Sequence, residues 1–246
     1  RDYAVTGVQT CALPILFNVE YSFLSYAEFN SINEENFVVV PDDPITIEYT
    51  QERAPHIIFS DEIKKLSDEI VGDEKNHYRI LKKIFTWISK NIPWTSALEY
   101  STIPSLSGYC EKNRRGDCGI KAMLFVTLAR LNGIPAKWQS GWMLHPGNLN
   151  LHDWAEVYAN GIGWIPIDVD FGLQKSEKKK VKYFFLGNTD NYHFIVNDDF
   201  SQPFFPSKIF PRSETVDFQR GEVEWRGGNL YFDKWNYKME VTFEEK

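Results

Sequence analysis

The chain has 246 residues, 43% of them hydrophobic, 15% aromatic and 25% charged, with a net charge of −7. That balance describes a folded globular protein and excludes extended disorder and fibrous repeats. No apolar run reaches the roughly 18–20 residues of a membrane-spanning helix, and the acidic balance argues against nucleic acid, which needs clustered Lys and Arg. The one basic run, Lys175 to Lys182, reads as a solvated loop.

Residues 1–15 show neither helical nor strand periodicity and no secretory pattern. Val5 to Ile15 (VTGVQTCALPI) resembles the forward translation of a sequencing-library adaptor, so residues 1–15 are read as an artefact and left out of fold reasoning. The segment carries one Arg and one Asp, so its removal leaves the net charge unchanged, but it takes away Cys11. Residues 16–55 then read as an N-terminal β segment. Phe17 to Phe23 and Phe37 to Val40 are β-rich, and Ile45, Ile47 and Tyr49 alternate with polar residues.

Residues 56–200 read as the main domain. Ser60 with Asp61 and Glu62 is a helix-start signal, Ile63, Leu66 and Ile70 form an apolar stripe, and Gly72 ends it. His77, Ile80, Leu81, Ile84, Phe85 and Ile88 fall on one face of a second helix closed by Pro93. Residues 95–115 read as a loop. A third helix starts at or near Cys118 and stops at Gly133 and Pro135. Strand-like runs follow at Ala136 to Leu144, Asp153 to Ala159, Gly163 to Val169 and Tyr192 to Val196, with Asn160-Gly161 as a hairpin signal. Residues 201–246 read as a β extension, with a turn at Gly227-Gly228-Asn229 and strict alternation over Trp235, Tyr237, Met239, Val241 and Phe243.

Cys118 occupies the first turn of an amphipathic helix, where unpaired N–H groups and the helix dipole favour a thiolate and can receive an oxyanion. The bland alternative is a small buried hydrophobe. His152 opens one strand and Asp168 ends the next, so antiparallel pairing brings them close. Side chains alternate, however, and only an odd-membered loop or a bulge puts both on one face. The sequence therefore predicts a three- or five-residue loop. By residue chemistry alone, His152 reads equally well as a surface histidine and Asp168 as a turn residue.

Arg115 to Pro135 (RGDCGIKAMLFVTLARLNGIP), Leu151 to Tyr158 (LHDWAEVY) and Gly163 to Gly172 (GWIPIDVDFG) together resemble the transglutaminase-like superfamily. The resemblance implies an α+β, papain-like core in which a Cys-bearing helix packs on an antiparallel sheet. It further implies Cys118 as nucleophile, His152 as general base and acid, and Asp168 as the residue that orients the imidazole. Thiol-dependent acyl transfer on a peptide or protein amide follows, hydrolytic in the favoured reading and cross-linking if an amine resolves the thioester. A non-catalytic binding module on the same fold and an amidase for glycan-linked asparagine remain alternatives. Resemblance to bacterial relatives also implies a periplasmic or cell-surface location.

Most of the eight tryptophans read as core. Trp94, Trp142 and Trp154 are the candidates for substrate contact, Trp154 beside the imidazole and Trp94 as a wall of the cleft, with Gln139 weaker. Cys110 and Cys118 are expected as free thiols. No cofactor is expected and no zinc site, since His56, His77, His145 and His193 have no partner at metal-ligand spacing.

Overall fold

The computed structural model describes residues 15–20, 22–97 and 99–244. In chain order the helices are α1 (Pro44–Tyr49), α2 (Asp61–Val71), α3 (His77–Asn91), α4 (Leu106–Asn113), α5 (Cys118–Leu131) and α6 (Lys179–Lys182). The strands are β1 (Ala136–His145), β2 (Asn148–Ala159), β3 (Gly163–Ile167), β4 (His193–Asp198), β5 (Val223–Trp225) and β6 (Gly228–Leu230). The first four strands form one antiparallel sheet in the order β3-β2-β1-β4, and β5 and β6 form a separate hairpin.

Helix α5 is the centre of this α+β fold. Every residue from Cys118 to Arg130 is buried, because α2, α3 and α4 cover one side of the helix and β1 and β2 the other. Asp117 caps it by accepting the N–H of Ile120 at 3.1 Å. The indole N–H of Trp138 on β1 donates to the Gly119 carbonyl at 3.1 Å, which fixes the first turn of α5 against the sheet. The outer helices follow their stripes: Ile63 and Leu66 of α2, and Ile80, Leu81, Ile84, Phe85 and Ile88 of α3, are buried.

The β2–β3 hairpin has the odd loop that parity demands. Ala159 pairs with Gly163, so Asn160, Gly161 and Ile162 form a three-residue connection, with Ile162 N–H on the Ala159 carbonyl at 3.0 Å. Gly161 sits at φ 79°, where a residue without Cβ is unstrained. Ala155 pairs with Ile167, so the register carried one step further sets Asp168 opposite Trp154, on the face of β2 that bears His152.

The flanks depart from the expected β structure. Ile45 to Tyr49 lie in α1: Pro44 occupies the first helical turn and Asp43 caps it through the Ile45 N–H. Phe37 ends a short 3-10 turn, and the described residues among 17–23 belong to no assigned strand. Within 95–115, Ser105 is a helix cap, not a loop residue, and α4 follows it. The alternating stretch from Trp235 to Phe243 forms no strand. Alternation reports which side chains could meet apolar surface, whereas a strand also needs a neighbouring strand to pair with, and no strand pairs with this stretch among the described residues. Lys175 to Lys182 is largely exposed, as expected, with one helical turn, α6. Residues 1–14, which carry nearly all of the adaptor-like segment, lie outside the described residues.

Gly141 on β1 is where β4 comes closest. A Cβ there would stand 1.8 Å from the Phe194 carbonyl oxygen, beside the register shift between Ser140 and Gly141. Gly141→Ala is therefore expected to push β4 off β1 and cost about 1–3 kcal/mol, as overpacking typically does. Urea unfolding measures it, and an unchanged midpoint would show that the two strands do not depend on this close approach.

Candidate active site

Cys118 stands on the first turn of α5 with only 9% of its surface exposed. Its thiol donates to Asp153 Oδ2 at 3.2 Å, an oxygen that also accepts the Tyr100 hydroxyl at 2.9 Å. Gln219 closes the other side by donating to Asp153 Oδ1 at 2.9 Å. Burial, then the carboxylates of Asp153, Asp117 and Asp170, push the thiol well above its ordinary range. This reverses the expectation that the helix terminus favours a thiolate. A helix end contributes roughly half a positive charge, which three nearby carboxyl groups and full desolvation outweigh.

His152 and Asp168 meet directly. His152 Nε2 lies 2.6 Å from Asp168 Oδ2, with both side chains almost wholly buried. The carboxylate can only accept, so the imidazole donates through Nε2, which leaves Nδ1 as the ring nitrogen not engaged by Asp168. Asp168 Oδ1 accepts the backbone N–H groups of Asp170 and Phe171, each at 2.9 Å. That turn lays the Phe171 ring on His152, centroids 4.7 Å apart and planes 22° from parallel. Burial alone would raise Asp168, but the imidazoles of His152 and His193 hold it well below the usual carboxylate range.

The thiol and the imidazole are not hydrogen-bonded to each other; each has its own carboxylate. Between the two, Lys121, one turn after Cys118, pairs with Asp170, two residues after Asp168, at 2.7 Å. That buried ion pair ties the start of α5 to the Asp168 turn.

Sequence reasoning missed His193, Asp190 and His145. His193 Nε2 lies 3.2 Å from Asp168 Oδ2 and its Nδ1 2.9 Å from Asp190 Oδ1, while His145 Nε2 lies 3.0 Å from Asp190 Oδ2. Only the Asp190–His193 pair is local, three residues apart; the links to Asp168 and His145 join separate segments and leave no signal in a short window. His152, Asp168 and His193 each offer a ligand atom within 4.8 Å of the others, a spacing a metal ion also needs. Here both imidazole Nε2 atoms already face one Asp168 oxygen, so the cluster is satisfied as a hydrogen-bonded array.

The tryptophans divide. Trp94 is 56% exposed, and its backbone bridges to Gly116, just ahead of Cys118. Trp142 is half-buried, with its indole N–H on the Gln219 carbonyl at 2.9 Å. Trp154 is buried and donates to Gln139 Oε1 at 2.6 Å, its ring centroid 5.9 Å from that of His152. Its 3% exposure makes it packing behind the imidazole and leaves almost no surface for substrate. Cys110 is a buried free thiol, raised to about 12 by burial, and Cys118 is also free of disulfide. No helix among the described residues is long and apolar enough to cross a membrane.

Residues 64–169 match the family model described as the transglutaminase-like superfamily. An uncharacterized protein of Haemophilus influenzae is 29% identical over 157 residues, 52% of this chain but only 42% of that relative. Among solved structures, a candidate cysteine protease of Cytophaga hutchinsonii is 23% identical with a TM-score of 0.46, covering 64% of this chain and 50% of its own. The periplasmic domain of TgpA from Pseudomonas aeruginosa is 20% identical with a TM-score of 0.42, covering 52% of this chain and 48% of its own.

The buried ionisable groups give stability a definite pH dependence. Burial raises Asp117 from 3.8 to about 6 and Asp217 from 3.8 to about 7. Between those values the folded chain holds protons that the unfolded chain releases, so stability falls as pH rises. His193, raised from 6.5 to about 9 by Asp168 and Asp190 against the effect of burial, acts in the same direction over its own interval. Asp190, lowered to about 2, works oppositely and removes stability only as pH drops below 3.8. Thermal unfolding followed from pH 5 to 9.5 should show Tm falling throughout, and a flat or rising profile above pH 7 would contradict these assignments.

Proposed function

We propose, on the premise of a transglutaminase-like domain at residues 64–169, that the chain is a thiol-dependent acyl-transfer enzyme acting on peptide or protein amides and resolved by water, as a cysteine peptidase or deamidase. Residues 56–200 are taken as its catalytic core. The observation that carries the reading is the His152–Asp168 pair, bonded through Nε2 with Nδ1 left over for a sulfur, in a site tied to the Cys118 helix through Lys121 and Asp170.

Because the resting thiol is neutral and held by Asp153, the first event is rotation of Cys118 about χ1 toward the imidazole. As Sγ bonds to the amide carbon, its proton passes to His152 Nδ1, and the carbonyl oxygen takes the charge against the Cys118 backbone N–H. His152 returns the proton to the leaving amine, the C–N bond breaks, and a thioester remains. Water attacks the thioester, giving its proton to the same nitrogen, and the thiol is regenerated. An amine in place of water would give cross-linking.

One observation favours a second reading, a binding module that keeps the fold without turnover: the thiol's hydrogen bond goes to Asp153. A thiol-directed activity probe and a peptide library read by mass spectrometry separate the two. Cys118→Ala should lose labelling, and both Cys118→Ala and His152→Ala should lose at least about a thousandfold in kcat/KM while circular dichroism is unchanged. Hydrolysis surviving in Cys118→Ala, or an intact protein that neither labels nor turns over, defeats the enzyme. The compartment proposed is periplasmic or cell-surface, from the resemblance to bacterial relatives; recovery of the native protein in the cytoplasmic fraction would overturn it.

A further inference from the structure

Behind the His152–Asp168 pair the side chains continue in strict alternation: Asp168 to His193, His193 to Asp190, Asp190 to His145. The array runs from the interior outward, with 4% of the His193 side chain exposed, 24% of Asp190 and 31% of His145. Each ring nitrogen of His193 faces a carboxylate oxygen, and a carboxylate only accepts, so both nitrogens carry hydrogen and His193 is an imidazolium. We propose that His193, braced by Asp190, is a positioning residue that supplies the countercharge to Asp168 and fixes its plane, leaving His152 to take and return the proton. The proposal rests on the function inferred above.

Three features support it. First, Asp168 has four donors: two backbone N–H groups on Oδ1, and His152 and His193 on Oδ2. A carboxylate held at both oxygens cannot rotate away from His152. Second, with a neutral thiol the base must begin unprotonated, and a buried Asp168 compensated only by His152 would hold that ring as a cation. A separate cation beside Asp168 relieves this demand. Third, the described groups around His193 suit a cation held between carboxylates. The titratable ones are Asp168 beyond β3, Asp190 before β4, His152 on β2 and His145 on β1, and the rest are the rings of Trp154, Phe171 and Phe185. The lift of His193 to about 9 agrees with the hydrogen-bond pattern.

The test compares the intact chain with His193→Gln and Asp190→Asn, by steady-state kinetics on the amide found with the library and by ¹H and ¹⁵N NMR of the imidazoles. The intact protein should show His193 doubly protonated at pH 7.5, and Asp190→Asn should lower its titration midpoint. His193→Gln should reduce kcat roughly ten- to hundredfold with little change in KM, as loss of a supporting partner does. The acid limb of kcat/KM should move to higher pH, because a positive charge beside the couple has gone. Kinetics and acid limb unchanged in both variants would overturn the proposal. If the intact protein turns over nothing, the function has failed and NMR alone decides here. A downfield His152 N–H that broadens or disappears in His193→Gln supports the positioning role, and one that persists unaltered refutes it. Should His193→Gln fail to fold, Asp190→Asn decides by the same readouts.

Discussion

Asp168 imposes the constraint from which the rest of the site follows. An ionised carboxylate with 3% of its side chain exposed is tenable only when its oxygens are filled with donors and a positive charge stands nearby. Those donors come from three directions: the turn after β3, the beginning of the buried half of β2, and the first residue of β4. β3 and β4 are the two edges of the sheet, so Asp168 gathers both edges over its middle strands. Gly141 on β1 makes that convergence possible, since any side chain there would hold the β4 backbone away. A residue without a side chain thus bears on the geometry of one whose side chain carries charge.

β2 supplies adjacent residues to opposite faces of the sheet, and this divides the chemistry. His152 faces Asp168 and His193, whereas Asp153 faces Cys118, Tyr100 and Gln219. One half is an ionised array in which every proton has an acceptor. The other is a desolvated cluster in which burial and neighbouring acids keep both the thiol and Asp153 protonated more readily than in water. A helix terminus is too weak to override that environment. At rest, therefore, the thiol is neutral and bonded to Asp153, apart from the His152–Asp168 pair.

Much of this was legible in the sequence where the signal was local. Ser60, the stripe from Ile80 to Ile88, and the Gly133 stop marked their helices because capping and periodicity are properties of a short window. The three-residue loop at Asn160–Ile162 followed from parity once His152 and Asp168 were required on one face. The misread segments fail for the same reason. Ile45, Ile47 and Tyr49 alternate, but over six residues a helix led by Asp43 and Pro44 presents the same letters. The Trp235 to Phe243 alternation lacked the partner that no local pattern can supply. His193 has no ligand-like spacing, and the partner that matters most, Asp168, reaches it from just beyond β3, 25 residues earlier in the chain. The Cys118 environment was misjudged because the acids that raise it, Asp153, Asp117 and Asp170, come from three separate segments.

The Lys121–Asp170 pair shows why such non-local contacts matter more to chemistry than to stability. Its side chains are 5% and 15% exposed, so the attraction at 2.7 Å is offset by the cost of stripping water from both ions, and its net contribution to folding is small. Its geometric effect is larger. Lys121 moves only with α5, whose residues are packed on all sides, and Asp170 moves only with the turn that Asp168 Oδ1 organises. Joining them fixes the separation between the first turn of α5 and the carboxylate that orients His152. In the acyl transfer proposed above, Cys118 Sγ turns from Asp153 toward the imidazole, and that step needs the separation held to a fraction of an ångström. An ion pair between two rigid elements supplies such a restraint where an apolar contact, tolerant of sliding, would not.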